Sequence, residues 1–425
     1  MVASLIAAAL LSGGPEFHPL FDGKTLAGWK LVDADGVGYV IEDGAIVCPK
    51  NGGGNLFTEK EYGDFVFRCE FWTEPGGNNG IGVRAPLEGD AAYVGMEVQV
   101  LDDAAPQYAN LLPGQYCASI YKVSPVKRGA LKPAGEWNQI EIDARGRQIR
   151  ITLNGQLVND ADLNAVKDRA TLAEHPGILR ERGHLGFLGH QSLVKFRKIE
   201  IAELDATVAA SNNTRADNVA PPGFTALFDG KSLAGWKGLV AVDTGKGSGA
   251  EHGGPPARAA MSADELTKQQ SVADEKMRAH WHPEDGILVF DGGGDSLCTA
   301  KDYKDFEFWV DWKIRAGGDS GIYLRGSPQV QIWDNPIGSG GLYNNQKNPS
   351  GPLAVADKPI GEWNRFKIVM VGERVTVYLN DVLVVHDTVL ENYWDRALPI
   401  YKAGQIELQN HGNRLEFRNV FVREL

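Results

Sequence analysis

The sequence predicts an all-β protein: two antiparallel sandwiches of jelly-roll type in tandem, the second carrying a short helical insertion. Three observations point there. The chain repeats itself, its apolar residues alternate with polar ones, and turn residues punctuate it at short intervals. The repeat opens at Phe17 with FHPLFDGKTLAGWK and again at Phe224 with FTALFDGKSLAGWK, eleven of fourteen positions being identical. The correspondence then continues in order. YGDFVFRCEFW (62–72) answers YKDFEFWVDWK (303–313), GIGVR (80–84) answers GIYLR (321–325), and EVQVLDD (97–103) answers QVQIWDN (329–335). PAGEWNQIEI (133–142) answers PIGEWNRFKI (359–368), and ITLNGQLV (151–158) answers VTVYLNDVLV (375–384). The last block, GFLGHQSLVKFRKIEIAEL (186–204), answers ELQNHGNRLEFRNVFVREL (407–425). The offset changes between blocks, so loops differ in length while strand-like segments keep their order.

Each block reads as a strand. In FVFRCEFW, Phe65, Phe67, Cys69 and Phe71 point one way, and Val66, Arg68, Glu70 and Trp72 the other. The second copy places Phe306, Phe308, Val310 and Trp312 inward, and Glu307, Trp309, Asp311 and Lys313 outward. Asn154-Gly155 signals a tight hairpin, and Asn380-Asp381 occupies the same place. Asp22 and Asp229, within FDGK, read as turn residues, and the GEWN residues Trp137 and Trp363 as core.

With 425 residues and 51 glycines the chain has room for two β-rich domains, each burying its own core. A leader occupies 1–14, the first domain 15–204, a linker 205–222, and the second domain 223–425 with an insertion at 238–281. The linker, DATVAASNNTRADNVAPP, is small, polar and ends in Pro-Pro. Within the insertion, 247–260 reads as flexible loop, whereas 262–281 opens with a capping box, Ser262 and Glu265, and reads as a helix. Residues 2–11 (VASLIAAALL) followed by SGG resemble a secretory signal without a basic n-region. They are too short to span a bilayer, and they imply a periplasmic or secreted location. No other run reaches membrane length. A net charge of −12 argues against nucleic acid or an anionic membrane as partner. Nothing fixes the oligomeric state. Cys48, Cys69, Cys117 and Cys298 form no CxxC pair; they read as buried thiols, with a Cys48–Cys69 bridge as the alternative.

Applied strand by strand, the period-two rule gathers a chemically distinct set on the face away from the core. In the first copy it is Arg84, Glu97, Gln99 and His190, with Asp102 at the strand's end, Glu70 and Trp72 from the preceding strand, and Tyr121. In the second it is Tyr323, Arg325, Gln329, Gln331, Trp333, Glu407, Gln409 and His411, with Asp334, Trp309 and Asp311. A solvated face is normally polar, but it is normally rich in Lys and Thr, which are scarce here. Aromatic rings beside planar hydrogen-bonding groups suit a carbohydrate: stacking for the apolar sugar face, paired hydrogen bonds for the hydroxyls.

Taken together, LFDGKxLAGWK, the DFxFxxxW strand, GIxxR, VQxxD, GEWN, LNG and the terminal GH or NHG followed by FRK or FRN resemble the 3-keto-disaccharide hydrolase family, once per copy. The resemblance implies a concanavalin A-like jelly roll and action on glycosides oxidised to a ketone at C3. A 3-keto group acidifies the C2 proton, so the glycosidic bond can break by elimination, with rehydration afterwards. That route asks for a base near C2, a cation to hold the enolate, and an acid for the leaving oxygen. His190 as base or acid, Glu97 as its partner or a metal ligand, Arg84 on the oxyanion and Asp102 as a second acid form one set. His411, Glu407 and Arg325 form the other. Each has a plainer reading: His190 as a hydrogen-bonded structural residue, and Arg84 in an ion pair with Glu70 or Glu97. A divalent metal is compatible with this chemistry, although no HxH or HExxH spacing marks one, and His280 and His282 are wrongly spaced for one helix face. The copies differ: Glu97 becomes Gln329, while Gly186 becomes Glu407. The rival readings are a lectin-like binding protein on the same fold and, more weakly, an adhesion module.

Overall fold

Alternation along the chain becomes alternation in space. A computed structural model describes residues 15–204, 216–242, 254–348 and 350–425. The leader, residues 205–215 of the linker and the part of the loop before residue 254 lie outside the described residues. Two compact units divide the chain between residues 209 and 210. Each is a sandwich of one eight-stranded and one five-stranded sheet, and the two share one topology.

In the first unit the five-stranded sheet runs in the order Trp29–Gly36, Gly52–Tyr62, Gly183–His190, Asn78–Ala85, Met96–Leu101. The larger sheet centres on Phe65–Thr73, flanked by Asn138–Arg145 and Val194–Glu203. Phe65, Phe67, Phe71, Ile140 and Phe196 from the larger sheet meet Ile81, Val98 and Phe187 from the smaller, all of them buried. In the second unit the small sheet runs in the order Trp236–Gly238, Leu297–Thr299, Ile406–Leu408, Asp319–Leu324, Ser327–Trp333. Its core gathers Trp281, Phe306, Phe308, Trp312, Ile322 and Phe366.

The repeated motifs turn out to be fasteners. Asp22 accepts from the backbone N–H groups of Lys24 and Thr25, and Asp229 does the same for Lys231 and Ser232. The indole of Trp29 donates to the Leu20 carbonyl, and that of Trp236 to Leu227. In GEWN the asparagine is the buried member. Asn138 Oδ1 accepts from Lys132 N and Asn154 Nδ2, while Asn154 Oδ1 accepts from Gln139 N. Asn364, Asn380, Lys358 and Arg365 repeat this arrangement. Trp137 and Trp363 are therefore not core. Both are partly exposed, Trp137 under the Arg197 guanidinium and Trp363 under Arg418 and Lys313.

Two further expectations change. Residues 254–259, read as loop, form a helix, Gly254–Ala259. Residues 216–222, read as linker, dock on the second unit: Asn218 and Asn419 exchange backbone-to-side-chain bonds. All four cysteines are free and buried, as expected, and the alternative Cys48–Cys69 bridge is not formed. The expected helix is present as Ala263–His280, its Ser262 cap accepting from Glu265 N at 3.2 Å. It is tied to the edge strand by Gly238 N donating to Asp274 and Gln270 Nε2 donating to the Gly238 carbonyl. No described helix is long and apolar enough to cross a membrane.

Replacing Asn138 with Ala leaves the Lys132 N–H and the Asn154 amide without their shared acceptor. We expect about 1–3 kcal/mol of destabilisation, read as a lower urea midpoint for the first unit's transition.

Candidate functional site

The five-stranded sheet of the first unit turns Ile81, Val98 and Phe187 to the core, so the opposite parity faces away. There the strand Asn78–Ala85 presents Gly80 and Gly82, Gly183–His190 presents Gly186, Leu188 and His190, and Met96–Leu101 presents Glu97 and Gln99. One end of this face is filled by Phe57, Leu188, Ala85 and Ala91. From the row of Gly82 and Gly186 the Glu97 side chain leans over Gly80 toward His190 at the other end.

Glycine sets that pair's geometry. A Cβ at residue 80 would overlap the Glu97 carboxylate, so Gly80 lets the side chain lie across the neighbouring strand. Glu97 Oε1 thereby reaches 3.8 Å from His190 Nε2. That is an electrostatic contact, too long for a hydrogen bond. Glu97 is 3 % exposed, and its Oε1 is buried with no hydrogen-bond partner. A buried carboxylate oxygen without a donor is costly to keep, which makes it a group that a ligand can satisfy. His190 is half-exposed. The Glu97 carboxylate facing it, with a weaker contribution from Asp90, outweighs partial burial and raises its pKa. Gln99 donates through Nε2 to Asn78 Oδ1 at 2.8 Å. Tyr121 flanks the strand, its backbone N donating to the Glu97 carbonyl and its ring edge-on to Tyr93.

Other expected members are elsewhere. Arg84 is buried and not on the open face. It adopts a left-handed backbone conformation, φ 50°, which breaks the alternation. Its guanidinium donates to the carbonyls of Gly63, Gly146 and Arg180 and to Asp64. Arg325, φ 53°, repeats this with Lys304, Gly372, Tyr401 and Asp305. Neither arginine is placed to steady an oxyanion. Asp102 accepts from Gly76 N and Asp334 from Gly317 N; both acids close turns. Glu70 and Trp72 belong to the larger sheet, Glu70 paired with Arg197 and Lys198 and Trp72 beneath Lys195. Trp309 and Asp311 belong to the larger sheet of the second unit. Trp309 donates to Glu307 and packs on Phe224, and Asp311 is paired with Arg365 and bonded to Asn419. Parity had given their face correctly but not their sheet.

In the second unit the matching face is wired differently. Gln329 donates to Gln331, which donates to Asp319 at 2.7 Å, and Asp319 lies 3.8 Å from His411. The amide in place of Glu97 is therefore already satisfied. Trp333 borders this end, its indole bonded to the Gly338 carbonyl and its ring edge-on to Tyr343. Gln409 donates to the Tyr323 hydroxyl. Glu407, 2 % exposed, lies beside Tyr323 on the paired strand and meets Arg258 Nη2 at 3.5 Å. Burial pushes its pKa up to about 7, against the pull of Arg258 and Lys237.

Sequence reasoning missed Asn78, Asp319, Tyr343 and Arg258. The first three had a signal: GGNNG answers GGDSG, and the Tyr of ASIYK answers that of GGLYN, both tyrosine N–H groups donating to the strand at Glu97 or Gln329. Arg258 had none. No cluster of three His, Cys, Asp or Glu side chains suited to a metal occurs among the described residues.

Fold and face together define a tandem jelly-roll protein with a carboxylate–imidazole pair on an open sheet in its first unit. The chain belongs to the family described as 3-keto-alpha-glucoside-1,2-lyase-like domain, whose model matches residues 16–202 and 223–423. A relative from Bacteroides thetaiotaomicron named 3-keto-disaccharide hydrolase is 24% identical over 261 residues, 48% of this chain and 79% of its own. A solved structure from Parabacteroides distasonis, provisionally described as a glycosyl hydrolase, is 27% identical and covers 44% of this chain and 100% of its own, with a TM-score of 0.41. A carbohydrate-binding module from Bacillus subtilis is 14% identical and covers 41% of this chain and 96% of its own, with a TM-score of 0.27.

Removing the charge with Glu97→Gln should lower the His190 pKa toward the ordinary imidazole value, as an NMR titration of the ring resonances will read. The stability linked to this proton is fully present below the unfolded-state pKa and lost as pH rises through the raised folded value. That dependence should flatten in the variant.

Proposed function

We propose that the first unit cleaves the glycosidic bond of 3-keto-glycosides by elimination, with Glu97 as base and His190 as acid. The observation that carries the reading is Glu97 Oε1: buried, without a hydrogen bond, and 3.8 Å from a half-exposed imidazole of raised pKa. A 3-keto group makes the C2 proton acidic enough for a carboxylate to remove. Glu97 takes that proton, the electron pair forms the C1–C2 double bond, and the C1–O bond breaks. His190, held protonated by Glu97, gives its proton to the departing oxygen. Addition of water to the unsaturated ketone then restores the 3-keto sugar, so the net reaction is hydrolysis. The family's description and the name of the Bacteroides relative support the substrate class.

In the second unit no unpartnered carboxylate stands in the place of Glu97, and Asp319, 3.8 Å from His411, already accepts from Gln331. Gln329 cannot accept a proton at working pH, and its amide is engaged with Gln331. Cleavage therefore rests on the first unit.

The test is turnover of a 3-keto-disaccharide by the full chain. Glu97→Gln and His190→Ala should each lower kcat by about 100- to 10,000-fold, while Glu407→Gln leaves it near wild type. Full activity in Glu97→Gln, or retention of the sugar without cleavage by the wild type, would sink the proposal.

A further inference from the structure

The second unit holds a cavity that the Glu97–His190 site does not account for. It measures about 510 Å³ and lies between the inserted helices and the five-stranded sheet. Helix Gly254–Ala259 contributes Arg258, helix Ala263–His280 contributes Leu266 and Gln270, and the edge strand contributes Lys237. Tyr401, Gln405 and Asp302 line it from the loops that follow the strands. In the first unit the corresponding stretch of sheet is occupied by Phe57, Gly186 and the apolar cluster around them. The second unit replaces Phe57 with Cys298 and Gly186 with Glu407, and adds the helices as a roof.

Charge at this cavity is unbalanced. Arg258 makes one ion pair among the described residues, a single-nitrogen contact to Glu407 at 3.5 Å, and its side chain is 14% exposed. Lys237 makes none among the described residues. A guanidinium can engage a carboxylate through two parallel bonds, and among the described residues this contact occupies only one of its nitrogens. Asp302, the one carboxylate lining the cavity among the described residues, is exposed to solvent. A largely buried guanidinium and a partly buried ammonium with so little compensation among the described residues favour an incoming anion. The volume exceeds what a simple inorganic anion fills and falls in the range of small-molecule sites.

We propose that this cavity binds a carboxylated monosaccharide, its carboxylate held by Arg258 and Lys237 and its hydroxyls by Gln405, Asp302 and Tyr401. The site is separate from Glu97 and His190 and does not depend on the reaction assigned to them. Glu407 competes with the ligand for Arg258. It is faced by Arg258 from the inserted helix, Lys237 and Cys298 from the two outer strands, and Tyr323 from its other neighbour, with Tyr393 beside Tyr323. Burial holds the Glu407 pKa at about 7, so below that pH the carboxyl is neutral and Arg258 is released to the ligand. Above it the ionised carboxylate reclaims the guanidinium, and binding weakens.

Isothermal titration of the full chain with D-glucuronate, D-glucose and inorganic phosphate tests this. Glucuronate should bind one to one, more tightly at pH 6 than at pH 8, and glucose and phosphate at least tenfold more weakly. Arg258→Ala and Lys237→Ala should each weaken glucuronate at least tenfold, with thermal melting confirming the fold, and His190→Ala should not change it. Glu407→Gln should keep the affinity and abolish its pH dependence. Equal binding of glucose would remove the role of charge, and equal binding of phosphate would reduce the cavity to an unspecific anion site. Absence of binding, or unchanged affinity in both cation variants, would overturn the proposal outright.

Discussion

One buried arginine per unit holds the two sheets in their relation. Arg84 leaves the five-stranded sheet, and its guanidinium donates to the carbonyls of Gly63 and Gly146 and to the Asp64 carboxylate, all at the margin of the larger sheet. Asp64 is fixed in turn by Gly146 N. Arg325, Gly372 and Asp305 reproduce the same closure in the second unit. A buried cation can be kept only where its hydrogen bonds are nearly all made. This clasp therefore tolerates little change, whereas the open face of the same sheet is free to vary. The recurrence of GIxxR reflects that architecture and not a shared reaction.

Above the clasp, small differences redirect the face. Glycines at 80, 82 and 186 keep the first unit's face low, so Glu97 can lie flat and meet His190. In the second unit Gly321 keeps the same role toward Gln329, but the amide is tied into a chain ending at Asp319. The carboxylate reappears two strands away as Glu407, under inserted helices that the first unit lacks. One backbone thus supports two different distributions of charge.

The strands, the hairpin asparagines and the FDGK turns were legible because periodicity and turn chemistry are local. What periodicity cannot show is where it resets. The positive φ at Arg84 and Arg325 turns both side chains off the face that counting assigns to them. Nor does counting say to which sheet a strand belongs, which is why Glu70, Trp72, Trp309 and Asp311 were grouped with residues they do not approach. The buried state of Asn138 beside a partly exposed Trp137 shows a related limit: the larger side chain looked like core, yet the hairpin depends on the smaller. Arg258 meets Glu407 only because an insertion folds back over the sheet, a contact spanning 149 positions.

The central claim is that Glu97 removes a proton from C2 of a 3-keto sugar, and proton exchange reads that step directly. A 3-keto-disaccharide incubated in D2O with His190→Ala should lose its C2 proton signal by NMR while the glycosidic bond largely survives, because the carbanion forms without an acid to release the leaving group. The double variant Glu97→Gln, His190→Ala should show no enzymatic exchange. Exchange that persists without Glu97, or cleavage by the wild type with the C2 proton retained throughout, would contradict the account.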